Sequence, residues 1–160
     1  MDNLLNKEPV KRVAKVLSQF DESIEIQTLD KTARTAKDAA ESLKTEIGSI
    51  VKSLLLRTKT SFLLCLVAGD KRCSLNKVKK LLNQKDISMA TAEQVKEITG
   101  FTIGGVSPIA HLNKVDIYID ESLKRFENIF AAAGHPNVIF KINFENLNKI
   151  TNGLIMDISE

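Results

Sequence analysis

The segment that most restricts what this chain can fold into is residues 100–111, Gly-Phe-Thr-Ile-Gly-Gly-Val-Ser-Pro-Ile-Ala-His. It separates a helical pattern, Thr91–Thr99, from a strand pattern, Val115–Ile119. Glycine permits positive φ and close approach of a ligand, and proline fixes φ while donating no N–H. The composition therefore predicts a loop of defined shape, able to present main-chain N–H groups to an anion or a polarised carbonyl. A plain turn is the alternative interpretation.

Strand and helix patterns interleave irregularly on both sides of this loop. An amphipathic helix is predicted over Pro9–Phe20, and two strands, Ile50–Arg57 and Phe62–Ala68, flank a polar turn. Further helices are predicted from Thr35 to Gly48, from Ser74, from Thr91 and over Phe144–Ile150; further strands are Ile24–Thr28, Ile87–Ala90, Val138–Ile142 and Leu154–Ile158, with a turn at Gly134–Asn137. This order predicts an α/β (α+β) fold, a mixed β-sheet surrounded by helices, in one domain covering residues 1–160.

Composition excludes several classes of protein. Hydrophobic residues make up 43% and charged residues 27%, with a net charge of +3, which permits a nucleic-acid partner without requiring one. No apolar run reaches the length of about 18 residues that a membrane span needs, and the N-terminus lacks a signal-peptide pattern, so we expect a cytoplasmic protein. Cys65 and Cys73 match no zinc spacing, and we expect reduced thiols with no metal or cofactor.

Seven short motifs occur in an order and spacing that resemble one family, the YbaK / prolyl-tRNA synthetase-associated editing domains. They are Thr32–Ala40, Ile50–Leu54, Ala68–Arg72, Ala90–Val95, Thr99–Pro108, Tyr118–Leu123 and Ala133-Gly134. The resemblance extends from about Val10 to Asp157. It implies that family's mixed-sheet fold and a trans-acting deacylase, which hydrolyses the ester of a mischarged tRNA for translational quality control.

The resemblance also implies catalytic residues. The family's invariant lysine corresponds to Lys52, its Gly-x-x-x-Pro loop to Gly104–Pro108 including Gly105, and its acidic residue to Asp120. A lysine suits contact with the terminal phosphate or the carbonyl, and loop N–H groups suit an oxyanion. Without the family, Lys52 reads as an outward-facing strand residue and Asp120 as a helix N-cap. We expect Asp120 to support the site, and we assign no general base.

Substrate-binding residues follow from the same resemblance: Arg34, Thr35, Ser53, Val106, Ser107, His111, Gly134 and His135. Arg34 is expected to hold the tRNA end or to lie on the surface. His111 is expected to hydrogen-bond the loop or the terminal ribose. His135 stands where an alanine-specific branch has a His-Pro pair, and a turn histidine is the alternative. Bases of the unpaired CCA end usually stack on aromatic or arginine side chains, and the candidates are Phe20, Phe101 and Phe126.

Substrate choice is left open by the sequence. Close relatives have Pro, Phe and Gly where this chain has Ser107, Ile109 and Ala110, which affects pocket size and polarity. The charged amino acid is expected to be Ala, Ser, Thr or Cys on tRNA-Pro or a related tRNA, with an aminoacyl-tRNA synthetase as a further candidate partner; no DNA or membrane partner is expected. The alternative function is an inactive tRNA- or protein-binding module on the same fold.

Overall fold

The computed structural model describes residues 3–30 and 35–160, which form five α-helices and eight β-strands. The helices are α1 Glu8–Phe20, α2 Ala36–Leu43, α3 Leu75–Leu82, α4 Ala92–Thr99 and α5 Phe144–Thr151. The strands are β1 Ile26–Thr28, β2 Val51–Arg57, β3 Phe62–Ala68, β4 Ser88–Met89, β5 Asp116–Asp120, β6 Ile129–His135, β7 Val138–Ile142 and β8 Leu154–Met156. The predicted α/β class is confirmed. None of the helices in the described ranges has the length and apolarity needed to cross a membrane.

The strands form two sheets. A mixed five-stranded sheet has the order β4-β2-β3-β5-β8, in which β2 runs antiparallel to both neighbours while β3, β5 and β8 run parallel. A three-stranded antiparallel sheet has the order β1-β7-β6. The sequence-based prediction contained only the mixed sheet, because pairing of β1 with β7 joins residues more than a hundred positions apart. A single bridge between Ile50 and Phe130 links the two sheets.

The mixed sheet is covered on both faces. On one face Val51, Leu55 and Leu64 join a core with α1 and the β6–β7 hairpin. On the other face Leu56 and Cys65 pack with residues of α3 and with Ile158. Burial on both faces explains why β3 is an almost unbroken apolar run. It also fixes β2 between α3 and the small sheet, where the candidate site lies.

Local hydrogen bonds start the helices where the sequence predicts. Thr91 Oγ1 accepts the Gln94 N–H at 3.1 Å and Gln94 Oε1 accepts the Thr91 N–H at 2.9 Å, a complete capping box. Thr35 Oγ1 accepts the Asp38 N–H at 3.1 Å in the same way at the start of α2. Side-chain caps of this kind depend on residues three positions apart, which is why sequence alone reveals them.

Several predicted boundaries differ from the structure by one or more residues, and two of them have a clear local cause. The helix predicted to end at Gly48 ends at Leu43, because Lys44 takes the left-handed conformation (φ 55°) and its N–H bonds back to the last turn. The turn predicted over Gly134–Asn137 is shorter, because Gly134 and His135 belong to β6.

Candidate active site

A cavity of about 410 Å³ opens between β2, the first turn of α2, the glycine loop and β6. Its wall is mainly apolar; Val51, Leu55, Ala90, Val106 and Ala131 all contribute to it. Every segment that lines it comes from a different part of the chain, so only the folded protein assembles it. Small apolar clefts with a few polar groups are the usual form of a ligand site.

One side of this cavity is an unpaired strand edge. β3 pairs with β2 along its whole length, whereas β4 pairs only with Leu56 and Arg57. Beyond β4, the Ala90 N–H donates to the Leu55 carbonyl at 3.0 Å, and the next strand contact toward the start of β2 is the bridge between Ile50 and Phe130. In the part of the chain that the structure describes, residues 51–54 therefore have no strand partner on the β4 side.

Ser53 is the polar side chain of this edge. It lines the cavity on the same face of β2 as Val51 and Leu55. Its Oγ is buried and has no hydrogen-bond partner among the described residues. A buried hydroxyl without a partner costs free energy, so this group is a candidate to bind water, an ion or a ligand.

Lys52 also lies in the cavity wall, but its ammonium group is engaged. The strand alternation turns its side chain to the α3 face, where Nζ donates to the main-chain carbonyl of Lys71. Burial lowers the pKa of Lys52 below its usual value, and nearby Cys73 and Asp70 offset only part of that shift. The structure thus places the predicted lysine at the cavity with its charge held by a backbone oxygen.

The glycine loop brings main-chain N–H groups to the cavity. Gly104 and Val106 line it, and Gly104 has a φ of 93°, which a side chain would strain. The Gly105 N–H donates to the Thr102 carbonyl at 2.9 Å, so it is not a free donor. The N–H groups of Gly104, Val106 and Ser107 have no acceptor within residues 3–30 and 35–160.

The loop is pressed against β6. A Cβ on Gly105 would lie 3.0 Å from His135 Cα and 3.2 Å from the Gly134 carbonyl carbon, closer than side chains normally approach a backbone. On its other side the loop borders a second hollow, lined by Pro108 and His111. These two predicted site residues therefore face the side of the loop away from the cavity and do not line it.

Arg12 and His111 hold the loop in place. The Arg12 Nε–H donates to the Ala110 carbonyl at 2.8 Å, and its guanidinium lies 4.7 Å from the centre of the Phe101 ring. The Nε2–H of His111 donates to the Ser107 carbonyl at 2.7 Å, and burial lowers the pKa of this imidazole. The histidine thus bonds the loop, one of the two roles expected for it.

Asp120 is a fully buried carboxylate away from the cavity. It accepts N–H groups of Ser122 at 3.2 Å and of Ile158 at 2.8 Å, and the hydroxyls of Ser122 and of Ser159. Burial raises its pKa, but these hydrogen bonds outweigh burial and leave the pKa below the usual value. It caps the 3₁₀ turn Glu121–Arg125 and does not line the cavity.

Comparison with known proteins identifies the family of this chain. Residues 30–150 match the aminoacyl-tRNA editing domain family. The chain belongs to this family.

Relatives of this editing domain include both small proteins and synthetases. The uncharacterised protein YwhH of Bacillus subtilis is 28% identical over 89% of this chain and 90% of its own length. Proline–tRNA ligases of Kosmotoga olearia and Lactobacillus acidophilus are 38% and 35% identical, but the matched regions span only 16% and 24% of those enzymes. A crystal structure of a proposed trans-editing enzyme for prolyl tRNA synthetase superposes with a TM-score of 0.91 and 34% identity, covering 96% of this chain and 98% of that one.

The remaining predicted residues of the editing domain have varied positions. Thr35 lines the cavity, although its hydroxyl caps α2. Ser107, within the glycine loop, is fully buried and does not line the cavity. Gly134 packs against Pro9 of α1, and the His135 ring accepts the Asn137 N–H at 3.0 Å. Neither residue lines the cavity. Arg34 lies outside the described residues.

The aromatic candidates for base stacking lie outside this cavity. Phe20, Phe101 and Phe126 do not line it, and Phe101 is buried under Arg12. The apolar side chains at the cavity include Phe130, Met89 and Ile103, of which the last two are 49% and 64% exposed. In the sequence, only its place in the glycine loop, between Thr102 and Gly104, distinguishes Ile103 from other apolar residues.

Proposed function

We propose that this editing domain is a deacylase that hydrolyses the ester bond of a mischarged tRNA in trans. The observation that carries the proposal is the cavity itself, where unpaired N–H groups of the glycine loop and the unpaired Ser53 hydroxyl border one small apolar space. The similarity to a proposed trans-editing enzyme along nearly its whole length supports action as a separate protein.

The cavity suits hydrolysis of an activated ester. Water attacks the ester carbonyl carbon, the carbonyl oxygen becomes an oxyanion, and the terminal ribose oxygen then leaves with a proton. Free N–H groups at Gly104 and Val106 can hold the oxyanion, an interaction worth about 2.7–4 kcal/mol where one donor has been removed from an enzyme.

Proton transfer is assigned to the substrate. The cavity lining contains no carboxylate or imidazole among the residues that the structure describes. The substrate itself brings a ribose hydroxyl next to the ester, and this group can orient the water. We therefore assign positioning and oxyanion stabilisation to the protein and no general base.

Release of amino acid from a panel of mischarged tRNAs tests this function. The panel carries Ala, Ser, Thr and Cys on tRNA-Pro, plus Ser and Ala on other tRNAs. We expect rapid hydrolysis of at least one member, with a small amino acid preferred because the space is about 410 Å³ and largely apolar. No hydrolysis with tRNA binding retained would contradict the deacylase and favour the binding module.

A matched pair of lysine variants tests the site. Lys52→Ala removes the hydrogen bond that ties β2 to the Lys71 carbonyl, and it is expected to reduce hydrolysis at least about a hundredfold, because a shift of about 1 Å in the strand that lines the site can cost that much. Lys71→Ala is the control, because it removes a neighbouring side chain and keeps the carbonyl that Lys52 binds. Near-normal activity of Lys52→Ala would remove Lys52 from the site.

A further inference from the structure

We propose that Ser53 and the free edge of β2 bind the α-ammonium group of the aminoacyl ester. The site would then accept esters with a free α-amine and reject esters in which the amine is acylated or replaced. This inference rests on the proposed function and adds to it the substrate group that the cavity recognises. It predicts that peptidyl-tRNA, whose amine is acylated, is not a substrate.

The main chain of Ser53 faces the cavity side of the strand. The Leu55 carbonyl points away from β3, because it accepts the Ala90 N–H at 3.0 Å. In a strand, alternate residues direct their N–H and C=O to the same side, so Ser53 directs its carbonyl to that side too. β4 ends before it can pair there, since its register reaches only Leu56 and Arg57.

Two oxygen acceptors therefore meet at one residue of the cavity. The carbonyl of Ser53 lies on the unpaired edge, and its Oγ is buried without a partner among the described residues. Both lie against an apolar wall that includes Val51 and Leu55. In such surroundings an unmade hydrogen bond is costly, and a bond to a charged donor is stronger than in water.

An ammonium group matches this pair better than other parts of the ester. It carries three donors and no acceptor, so it can satisfy both oxygens at once. A hydroxyl on the amino-acid side chain has a single donor and can satisfy only one. The charge of Lys52 does not compete, because its ammonium group is held by the Lys71 carbonyl on the other face of the strand.

Binding of non-hydrolysable analogues tests the inference. Acceptor-stem RNA is prepared with a 3′-amide in place of the ester, carrying alanine, lactic acid (a hydroxyl replaces the amine) or N-acetylalanine. We expect the wild-type protein to bind the alanyl form at least about tenfold more tightly than the other two, the scale of a hydrogen bond to a charged group.

Variants of Ser53 show which group makes the contact. Ser53→Ala is expected to weaken alanyl binding about tenfold while changing lactyl binding less than about twofold. Ser53→Thr keeps the hydroxyl and is expected to keep the preference for a free amine. Ser18→Ala, on the exposed face of α1, is the control and should change neither affinity.

Three results would overturn the inference: no binding of the alanyl form, equal wild-type affinity for the alanyl and lactyl forms, or an equal loss for both in Ser53→Ala. A seryl amide is added to the series, and a loss in Ser53→Ala confined to that analogue would assign Ser53 to the substrate's side chain and also overturn the inference. Because the amide cannot be cleaved, this outcome is independent of the deacylase. Preference for the amine without hydrolysis of the alanyl ester would contradict only the proposed function.

Discussion

At Asp120 a carboxylate is held without access to solvent at the end of β5. Its hydrogen bonds come from Ser122 in the following turn and from Ile158 and Ser159 near the C-terminus, so it joins two distant segments. A motif shared with a family of enzymes is thus used here to hold the fold. That distinction can be measured, because structural and catalytic carboxylates fail in different ways.

Asp120→Asn is expected to lower the free energy of unfolding by about 1.5–3 kcal/mol at pH 7, because an amide nitrogen cannot accept the bonds that one carboxylate oxygen accepts. The pKa of Asp120 is below its usual value in the folded protein, so its contribution is complete above the unfolded pKa of about 3.9. It is lost as the pH falls through the folded pKa, and the difference between variant and wild type should shrink below about pH 4. Urea unfolding at several pH values measures this.

Asp157→Asn is the matched control for Asp120→Asn. Asp157 is exposed and pairs with Lys77 at 2.9 Å, so its loss should change stability by less than about 1 kcal/mol. If Asp120→Asn keeps wild-type stability but loses activity more than about a hundredfold, Asp120 acts in catalysis and the supporting role is wrong.

Among the elements, the glycine loop is hydrogen-bonded at both ends by one arginine. The Arg12 guanidinium donates to the carbonyls of Ala110 and Thr99, at 2.8 Å and 3.3 Å, on opposite ends of the loop. Ala110 has a φ of 63°, a conformation that a non-glycine residue keeps only when its surroundings hold it. A helix at the start of the chain therefore sets the geometry of a loop near its middle.

Arg12→Met keeps the apolar stem and removes these donors. We expect amide hydrogen exchange in residues 103–111 to quicken at least about tenfold, since one or two charged hydrogen bonds no longer oppose opening. Glu8→Gln is the control, because it removes only the exposed Arg12–Glu8 ion pair at 2.8 Å and should leave loop exchange within about twofold. Unchanged exchange in Arg12→Met would show that packing against β6 holds the loop.

Sequence reasoning succeeded for elements that depend on near neighbours. The bounds of β3 and β7 and the caps at Thr35 and Thr91 follow from periodicity and from side chains three residues apart. It did not predict the second sheet, since the pairing of β1 with β7 depends on residues far apart along the chain. For the same reason it could not find the free edge at Ser53, which exists because β4 is only two residues long.

The site residues show the same limit. The resemblance located Lys52 and Gly104 at the cavity, because motif order carries the position of a residue in the fold. It could not show that the Lys52 ammonium group binds the Lys71 carbonyl, or that Pro108 faces away from the cavity. Those are facts about side-chain direction, which spacing along the chain does not determine.

For the whole molecule, the cavity exists because the two sheets are held at a short distance. The mixed sheet supplies β2 to one wall and the small sheet supplies Phe130 and Ala131 of β6 to another. Gly105 stands where the glycine loop meets β6, with no room for a side chain. The distance between the glycine loop and β6 at the cavity is therefore set by a close backbone contact at Gly105.

Gly105→Ala is expected to push the loop away from β6, because its Cβ would lie 3.0 Å from His135 Cα and a backbone cannot yield as a side chain can. Overpacking of this kind costs about 1–3 kcal/mol of stability. Gly153→Ala is the control: its Cβ would meet the end of the flexible Ile119 side chain at 2.9 Å, away from the cavity. Stability and deacylation per folded molecule are measured for both variants. Only Gly105→Ala should lose deacylation, at least about tenfold, since N–H donors at Gly104 and Val106 move with the loop. Equal activity in both variants would show that the cavity tolerates a shift of the glycine loop.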